Sequence, residues 1–397
     1  MLLSLRTLLY VICVLTDFSA FIVIFTVSRG LADAHTAAWY LGLIGAGVSF
    51  SAAMASLAGG WGSSRIGGKW IFTAGAVAIL VSALCALRGD FLATSFLPFY
   101  WLLGAGIGLI YPPLIGWLNQ GEDPHADHKG VSRRLILFCI AWNVGMMIGQ
   151  LSGGRLYERG LQWAIGTAVA TSLLNLGLVL VVVRLIARLP APGEKQMEGA
   201  PAAPRMETAI RFKKLSWIAN MGGVFGGSLV IHLLPDLMVL LGISAEAHGK
   251  LLAWWRVTII LTYIAMHLSR FWHYRLNVSL ASQVLGACGL VAISWASSPE
   301  MLLFGLTLLG QLVGFNYFSG LYYSTAGSSH ETRALSAGIH EATLATGMAL
   351  GTVAGGVVGT LVGHRAPYFL AAVVLLILVL IQVSVWGRWK KFSPAES

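Results

Sequence analysis

Long apolar runs follow one another along almost the whole chain, and each ends near a charged residue, a proline or a glycine. A helix of about 20 apolar residues crosses the hydrocarbon core of a bilayer. The pattern therefore predicts an all-α polytopic membrane protein with twelve transmembrane helices. The predicted spans are residues 7–28, 36–60, 70–87, 92–118, 135–155, 163–186, 215–239, 250–269, 278–296, 301–326, 335–361 and 367–388.

The composition excludes several classes of protein. Hydrophobic residues make up 57% of the chain and charged residues only 11%, whereas globular proteins carry about 25% charged residues. The four cysteines lie in apolar runs without the spacing of metal ligands. The segment from Gly62 to Lys69 lacks the ending of a nucleotide-binding P-loop. We therefore expect neither an enzyme nor a site for a metal or cofactor.

The net charge of +10 is explained by topology rather than by a nucleic-acid partner, since the chain has no long basic block. When the N-terminus is placed inside, most Lys and Arg residues fall in inner loops, as the positive-inside rule requires. This distribution predicts a multi-pass protein of the lipid bilayer with both termini in the cytoplasm. The bias fits a bacterial cytoplasmic (inner) membrane, with an organelle membrane as the alternative.

A polar, proline-rich stretch at residues 187–212 divides the chain into two predicted six-helix bundles, residues 1–186 and 213–397. A glycine ladder in the fifth predicted span recurs in the eleventh. One copy alone indicates close helix packing, but two copies in matching spans indicate a duplicated transporter architecture. The ladder residues are Gly145, Gly149, Gly153 and Gly154 in the first copy and Gly347, Gly351, Gly355 and Gly356 in the second.

The loop after the second predicted span reads GWGSSRIGGK. It resembles the loop motif G-x-x-x-D-R-x-G-R-R/K of the major facilitator superfamily at Gly60, Arg65, Gly67 and Lys69. The fifth-span ladder is similar to the antiporter motif of the same superfamily. The resemblance implies two six-helix bundles around a central cavity, a monomer, and secondary transport by alternating access. The matching loop residues are either conformational gate residues or plain anchors at the inner leaflet.

Two positions depart from these family patterns. The acidic position of the loop motif is Ser64, and the proline of the antiporter motif is Gln150. Both departures argue against carrying over a drug/proton antiport mechanism.

Charged residues inside a bilayer cost free energy and usually face a cavity or a partner. Asp17 is a candidate proton acceptor, or else a structural acid held by Thr16 or Ser19 or paired with Arg256. His340 and Glu341 are candidates for proton coupling or solute binding, or else for a polar contact near a helix end. Arg256 would bind an anionic group of the solute or neutralise one of the two carboxylates.

Further polar and aromatic residues of the predicted cavity helices can bind hydroxyl or carboxyl groups. They are Tyr111, Asn143, Asn316, Tyr317 and Tyr322. The sequence as a whole predicts a proton-coupled secondary transporter of a small polar or anionic organic solute. Two alternatives stay open: an exporter of lipophilic compounds, and a receptor or assembly component that keeps the fold and moves nothing.

Overall fold

The computed structural model describes residues 2–118, 128–186, 203–328 and 333–392, and these ranges contain thirteen α-helices and no strand. These helices cover nearly all of the residues predicted to span the membrane. Helices are expected there because backbone groups inside a bilayer have no water to bond and must bond one another. They are α1 (Leu2–Asp33), α2 (Ala38–Gly62), α3 (Gly68–Arg88), α4 (Leu97–Leu118), α5 (His128–Arg159), α6 (Leu161–Ile186), α7 (Ala203–His232), α8 (Leu234–Leu240), α9 (Ala245–Leu268), α10 (Leu276–Trp295), α11 (Pro299–Ala326), α12 (Arg333–Val362) and α13 (Ala366–Phe392).

Eleven of the described helices are long and apolar enough to cross a membrane, and the count rises to 12 if α7 and α8 form one bent span. The all-α polytopic fold class is thereby confirmed. The predicted span over residues 215–239 is a broken helix in the structure, because the chain bends by 47° between α7 and α8. Pro235 lies in the first turn of α8, and a proline there cannot continue the hydrogen bonds of the preceding helix.

The predicted linker also differs from the structure at its C-terminal end. Residues 187–202 lie outside the described residues, but α7 already begins at Ala203, inside the stretch predicted as a linker. Arg211 bonds Glu207 one turn earlier on this extension, a spacing that supports an exposed helix. The division of the chain at residues 187–212 stays a prediction.

Within each half of the molecule the glycine ladder packs against the first long helix of that half. We call α1–α6 the N-terminal half and α7–α13 the C-terminal half. A Cβ atom added at Gly145 or Gly149 would meet the backbone of α1, and one added at Gly347 or Gly351 would meet the backbone of α7. Lipid tails are as apolar as the helices, so helix association in a membrane depends on such close packing.

The two halves meet along two seams, one between α5 and α9 and the other between α2 and α12. The last glycine of each ladder lies on a seam rather than inside its own half. A Cβ at Gly154 would meet Ala245 and Gly249 of α9, and a Cβ at Gly356 would meet Ala38 and Gly42 of α2. Both seams lie toward the end of the bundle where α1 ends, which we call the Asp33 end; the opposite end, where α3 begins, is the Gly67 end.

Candidate functional site

The carboxyl group of Asp17 is fully buried in the N-terminal half. Its Oδ2 accepts a hydrogen bond from the hydroxyl of Tyr111 on α4, and its Oδ1 has no partner. Gly145 of α5 faces the Cβ of Asp17, so the absence of a side chain there makes room for the acid. Neither Thr16 nor Ser19 bonds this carboxyl among the described contacts: Thr16 accepts from Asn175 of α6, and Ser19 bonds carbonyls of its own helix.

The guanidinium of Arg256 on α9 lies buried at the α5–α9 seam, with 3% of the residue exposed. Its Nε faces Oε1 of Gln150 on α5 at 3.4 Å, and its Nη2 has no partner. The charge lies 4.3 Å from the ring centroid of Trp255 and 5.3 Å from that of Phe21 on α1. Among the described residues no carboxylate forms an ion pair with it, and Asp17 lies only within electrostatic range.

His340 and Glu341 point in different directions from α12. The His340 ring is fully buried against Gly320 of α11, 5.6 Å from the ring of Tyr317, and only its Nδ1 has a neighbour, Asn220 Nδ2 at 3.5 Å. Glu341 is exposed. Because consecutive helix residues are about 100° apart, His340 packs into the C-terminal half while Glu341 faces away from it, on the side of α5.

Three aromatic rings connect the halves near these charges. Trp142 of α5 contacts Tyr317 of α11 with ring centroids 5.3 Å apart, and Tyr317 contacts Tyr263 of α9 at 6.1 Å. The Nε1 of Trp142, the hydroxyl of Tyr263 and the Oδ1 of Asn143 are buried and form no hydrogen bond of normal geometry, although Tyr263 lies close to Asn143 and Trp142 lies close to Cys139. Buried polar groups without partners are costly, so these atoms could bind polar groups of a ligand.

Two of the predicted solute ligands lie elsewhere. Asn316 is fully buried and donates from Nδ2 to the carbonyl of Ala219 at 2.7 Å, which ties α11 to α7. Tyr322 stacks on His273 in the loop before α10, with ring centroids 4.4 Å apart. Burial, together with the positive charge of Arg270, lowers the pKa of His273. The Oδ1 of Asn316 is nevertheless buried without a partner, and solute binding by Asn316 and Tyr322 stays a prediction.

The loop between α2 and α3 has a backbone conformation that depends on one glycine. Gly67 has φ = 104°, which is costly for other residues. Gly68 has an ordinary helical φ of −54°, so the unusual backbone angle is confined to Gly67. The guanidinium of Arg65 lies 4.2 Å from the ring of Trp61, the ammonium of Lys69 lies 5.5 Å from that of Trp70, and Gly60 has open space around it.

Sequence reasoning missed Tyr263, which had a usable signal. It lies about two helical turns after Arg256 and so on the same face of α9. The sequence analysis also interpreted Gln150 only as the residue that replaces the proline of the antiporter motif. In the structure the amide of Gln150 holds the buried guanidinium of Arg256. The available signal was an amide side chain on α5, the helix that packs against α9, which carries the intramembrane arginine.

Taken together, Arg256, Tyr263, Asn143 and Trp142 present incompletely bonded polar atoms at the contact between the halves, and Asp17 presents one inside the N-terminal half. The Arg256 guanidinium can bind an anionic group, since hydrogen bonds with a charged partner are the strong ones. The Asp17 carboxyl can gain or lose a proton beside a single tyrosine donor. Within the described residues no cluster of His, Cys, Asp and Glu could hold a metal ion.

Comparison with known families and structures gives a consistent result. The family model described as Major Facilitator Superfamily matches residues 7–324. No curated protein sequence matches the chain.

Among solved structures, a bacterial homolog of the human lysosomal transporter Spinster, in an inward-facing and unoccupied conformation, is 16% identical with a TM-score of 0.72, covering 99% of this chain and 98% of that one. The human organic anion transporter MFSD10 (TETRAN) is 15% identical with a TM-score of 0.67, over 95% and 98% of the two chains. The nucleoside transporter NupG is 14% identical with a TM-score of 0.65, over 96% and 99%. At these identities the likeness establishes the fold.

Proposed function

Because the chain belongs to the Major Facilitator Superfamily, a family of transporters and not of enzymes, we propose that it moves a small polar or anionic organic solute by proton-coupled alternating access. The observation that carries the proposal is Arg256: a buried cation between the halves, without an ion-pair partner in the described chain. Such residues inside a membrane mark solute or ion pathways.

An anionic group of the solute would supply the missing negative charge. Nη2 of Arg256 is available to it, while Gln150 holds Nε and the ring of Trp255 supports the guanidinium. An arginine presents a planar fork that matches a carboxylate in two hydrogen bonds. The polar atoms of Tyr263 and Asn143 would bind uncharged parts of the solute.

Proton coupling is assigned to Asp17, with His340 and Glu341 as the other titratable candidates. The Asp17 carboxyl lies next to Tyr111 and within electrostatic range of Arg256. Solute bound at Arg256 would change the charge that Asp17 experiences, so the protonation of Asp17 would depend on occupancy. That dependence is the linkage that coupled transport requires.

The two seams support alternating access. They join the halves through glycine contacts at the Asp33 end, where rigid helices pack closely and can separate as units. The positive-inside distribution supports a cytoplasmic position for the Gly67 end, and with that orientation the proposed state is closed to the outside. The loop carrying Gly60, Arg65, Gly67 and Lys69 lies at the Gly67 end, where it would move with the N-terminal half as a gate.

The test is transport by purified protein in liposomes that contain a pH-sensitive dye, with a panel of organic anions and neutral polar solutes. We expect uptake accompanied by proton movement. Arg256→Gln should lower uptake by about tenfold or more, because a hydrogen bond to a charged group contributes about 1.5–3 kcal/mol. Asp17→Asn should remove the pH dependence of uptake.

Arg184→Gln, an exposed arginine near the end of α6, is the matched control and should leave uptake unchanged. Arg256→Lys keeps the charge and should retain part of the activity, which distinguishes lost binding from misfolding. Uptake that survives Arg256→Gln, or a pH dependence that survives Asp17→Asn, would contradict the assignment. Movement of lipophilic compounds alone would favour an exporter, and movement of nothing in the panel would favour a receptor or assembly component.

A further inference from the structure

Two unpaired charges of opposite sign lie between the halves, Arg256 on α9 and Glu341 on α12. Neither forms an ion pair with the other or with another described residue. A salt bridge between them would have made the site neutral and closed. Separately, neither has a counter-charge in direct contact with it within the described chain.

Glu341 faces the interior of the molecule rather than lipid. It is exposed, yet it lies within electrostatic range of Cys139 on α5, which is fully buried in the N-terminal half. It is also within range of Tyr317 on α11. A side chain of α12 that is close to both α5 and α11 and still accessible lies in the space between the two halves.

The aromatic rings lie between the two charges. Tyr263 is within electrostatic range of Arg256, its ring contacts Tyr317, and Tyr317 is in turn close to Glu341. Trp142 contacts Tyr317 from the N-terminal half. Aromatic faces attract cations and tolerate apolar groups, so the surface between the charges suits the body and the ammonium group of an organic solute.

We propose that the transported solute is a zwitterion, whose carboxylate binds Arg256 and whose ammonium group binds Glu341 beside Tyr317 and Trp142. This inference rests on the proposed transport function and narrows its solute class. It also separates two roles that the sequence left together: Glu341 binds the solute, and Asp17 binds the proton.

The solute must satisfy both charges at once for strong binding. A carboxylate without an amine would leave Glu341 uncompensated, and an amine without a carboxylate would leave Arg256 uncompensated. Leaving a charged partner unpaired in a desolvated site weakens binding strongly. The site should therefore reject solutes that carry only one of the two charges.

The experiment compares matched compounds by calorimetric titration of the unaltered full-length protein in lipid nanodiscs. One set is phenylalanine, 3-phenylpropionate and phenethylamine; a second, with a longer separation between the charges, is 4-aminobutyrate, butyrate and butylamine. We expect the zwitterion of at least one set to bind about tenfold or more tighter than both single-charge analogues.

Two variants test which residue binds the ammonium group of the solute and which binds its carboxylate. Glu341→Gln should remove the preference for the zwitterion over the carboxylate analogue, and Arg256→Gln should remove the preference over the amine. Glu300→Gln, at an exposed acid at the start of α11, is the control and should keep both preferences. The comparison of preferences within one variant does not depend on how much protein is folded.

A carboxylate analogue that binds as tightly as its zwitterion would overturn the inference and leave the proposed transport of an anion standing. The inference is likewise overturned if neither set binds while other organic anions are transported in the liposome assay. If no solute of any class is transported there, the proposed function itself fails, and the inference fails with it.

Discussion

The α5–α9 seam and the α2–α12 seam have the same backbone packing and different side-chain chemistry. In each, the last glycine of a ladder meets a small residue and a glycine on the partner helix: Gly154 with Ala245 and Gly249, and Gly356 with Ala38 and Gly42. The glycine ladder that recurs in the two halves explains this likeness, because each half carries the same close-packing pattern. The polar contacts are distributed very unequally.

The α5–α9 seam carries charge along its length. Glu246 at the start of α9 lies 3.5 Å from Arg155, and its backbone N donates to Glu158 at 2.8 Å. Deeper in the membrane, Arg256 bonds Gln150. At the Asp33 end, Arg29 of α1 donates from Nη1 to the carbonyl of Ile243 at 3.0 Å, just before α9.

The α2–α12 seam is mostly apolar in the described ranges. Its one described polar side-chain contact across the helices is a hydrogen bond from the backbone N of Trp39 to Oγ1 of Thr360, at 2.8 Å. Nearby, the buried ring of His232 packs against Gly45. The comparison indicates that both seams set how closely the halves approach, while among the described residues charged contacts cross only the α5–α9 seam.

The largest expected effect on transport comes from placing a bulky side chain in either seam. Gly154→Leu and Gly356→Leu should each lower liposome transport by roughly 5- to 150-fold, because overpacking costs about 1–3 kcal/mol in the state with the seams closed. Gly177→Leu on α6 is the control, since a side chain there meets no atom within 4 Å. A strong loss at one seam with none at the other would break the proposed equivalence of their packing.

An intermediate effect is expected from the charged seam alone. Arg29→Gln removes a hydrogen bond with a charged donor, which contributes about 1.5–3 kcal/mol to keeping the Asp33 end closed. The readout is labelling of Ala38→Cys, on the other seam, by a membrane-impermeant maleimide in a variant without native cysteines. Labelling should accelerate by about tenfold if the halves separate as rigid units.

Arg88→Gln, an exposed arginine near the same end of the bundle, should leave the labelling rate unchanged. Labelling of Ala38→Cys that stays slow in Arg29→Gln would mean that the two seams open independently. That result would contradict the rigid-body description.

The smallest effect is expected from the apolar seam. Thr360→Val removes the acceptor for the Trp39 backbone N, which is in an exposed position where water can replace the lost bond. A neutral hydrogen bond contributes about 0.5–1.5 kcal/mol, and transport should change by no more than about threefold. Thr325→Val, whose hydroxyl bonds only its own helix, is the control; a change as large as that of Arg29→Gln would remove the contrast between the seams.

The sequence by itself determined the fold class and the places where helices must pack closely. Apolar length specifies a span because backbone groups in lipid have no other partners, and glycine at every fourth position leaves a groove for a second backbone. The same patterns identified Asp17, Arg256 and Glu341 as costly intramembrane charges. These signals are local, and so the sequence is sufficient for them.

Only the tertiary structure decided which partner each polar side chain has. The sequence offered Thr16, Ser19 and Arg256 as partners for the Asp17 carboxyl. In the fold this carboxyl instead accepts a hydrogen bond from Tyr111 of α4. Asn316 and Tyr317 are adjacent in sequence, yet the first ties α11 to α7 and the second lies among the central rings. The physical reason is that a side chain's partner depends on the rotation of its helix and on the distant helix it meets, and neither is encoded in local apolar periodicity.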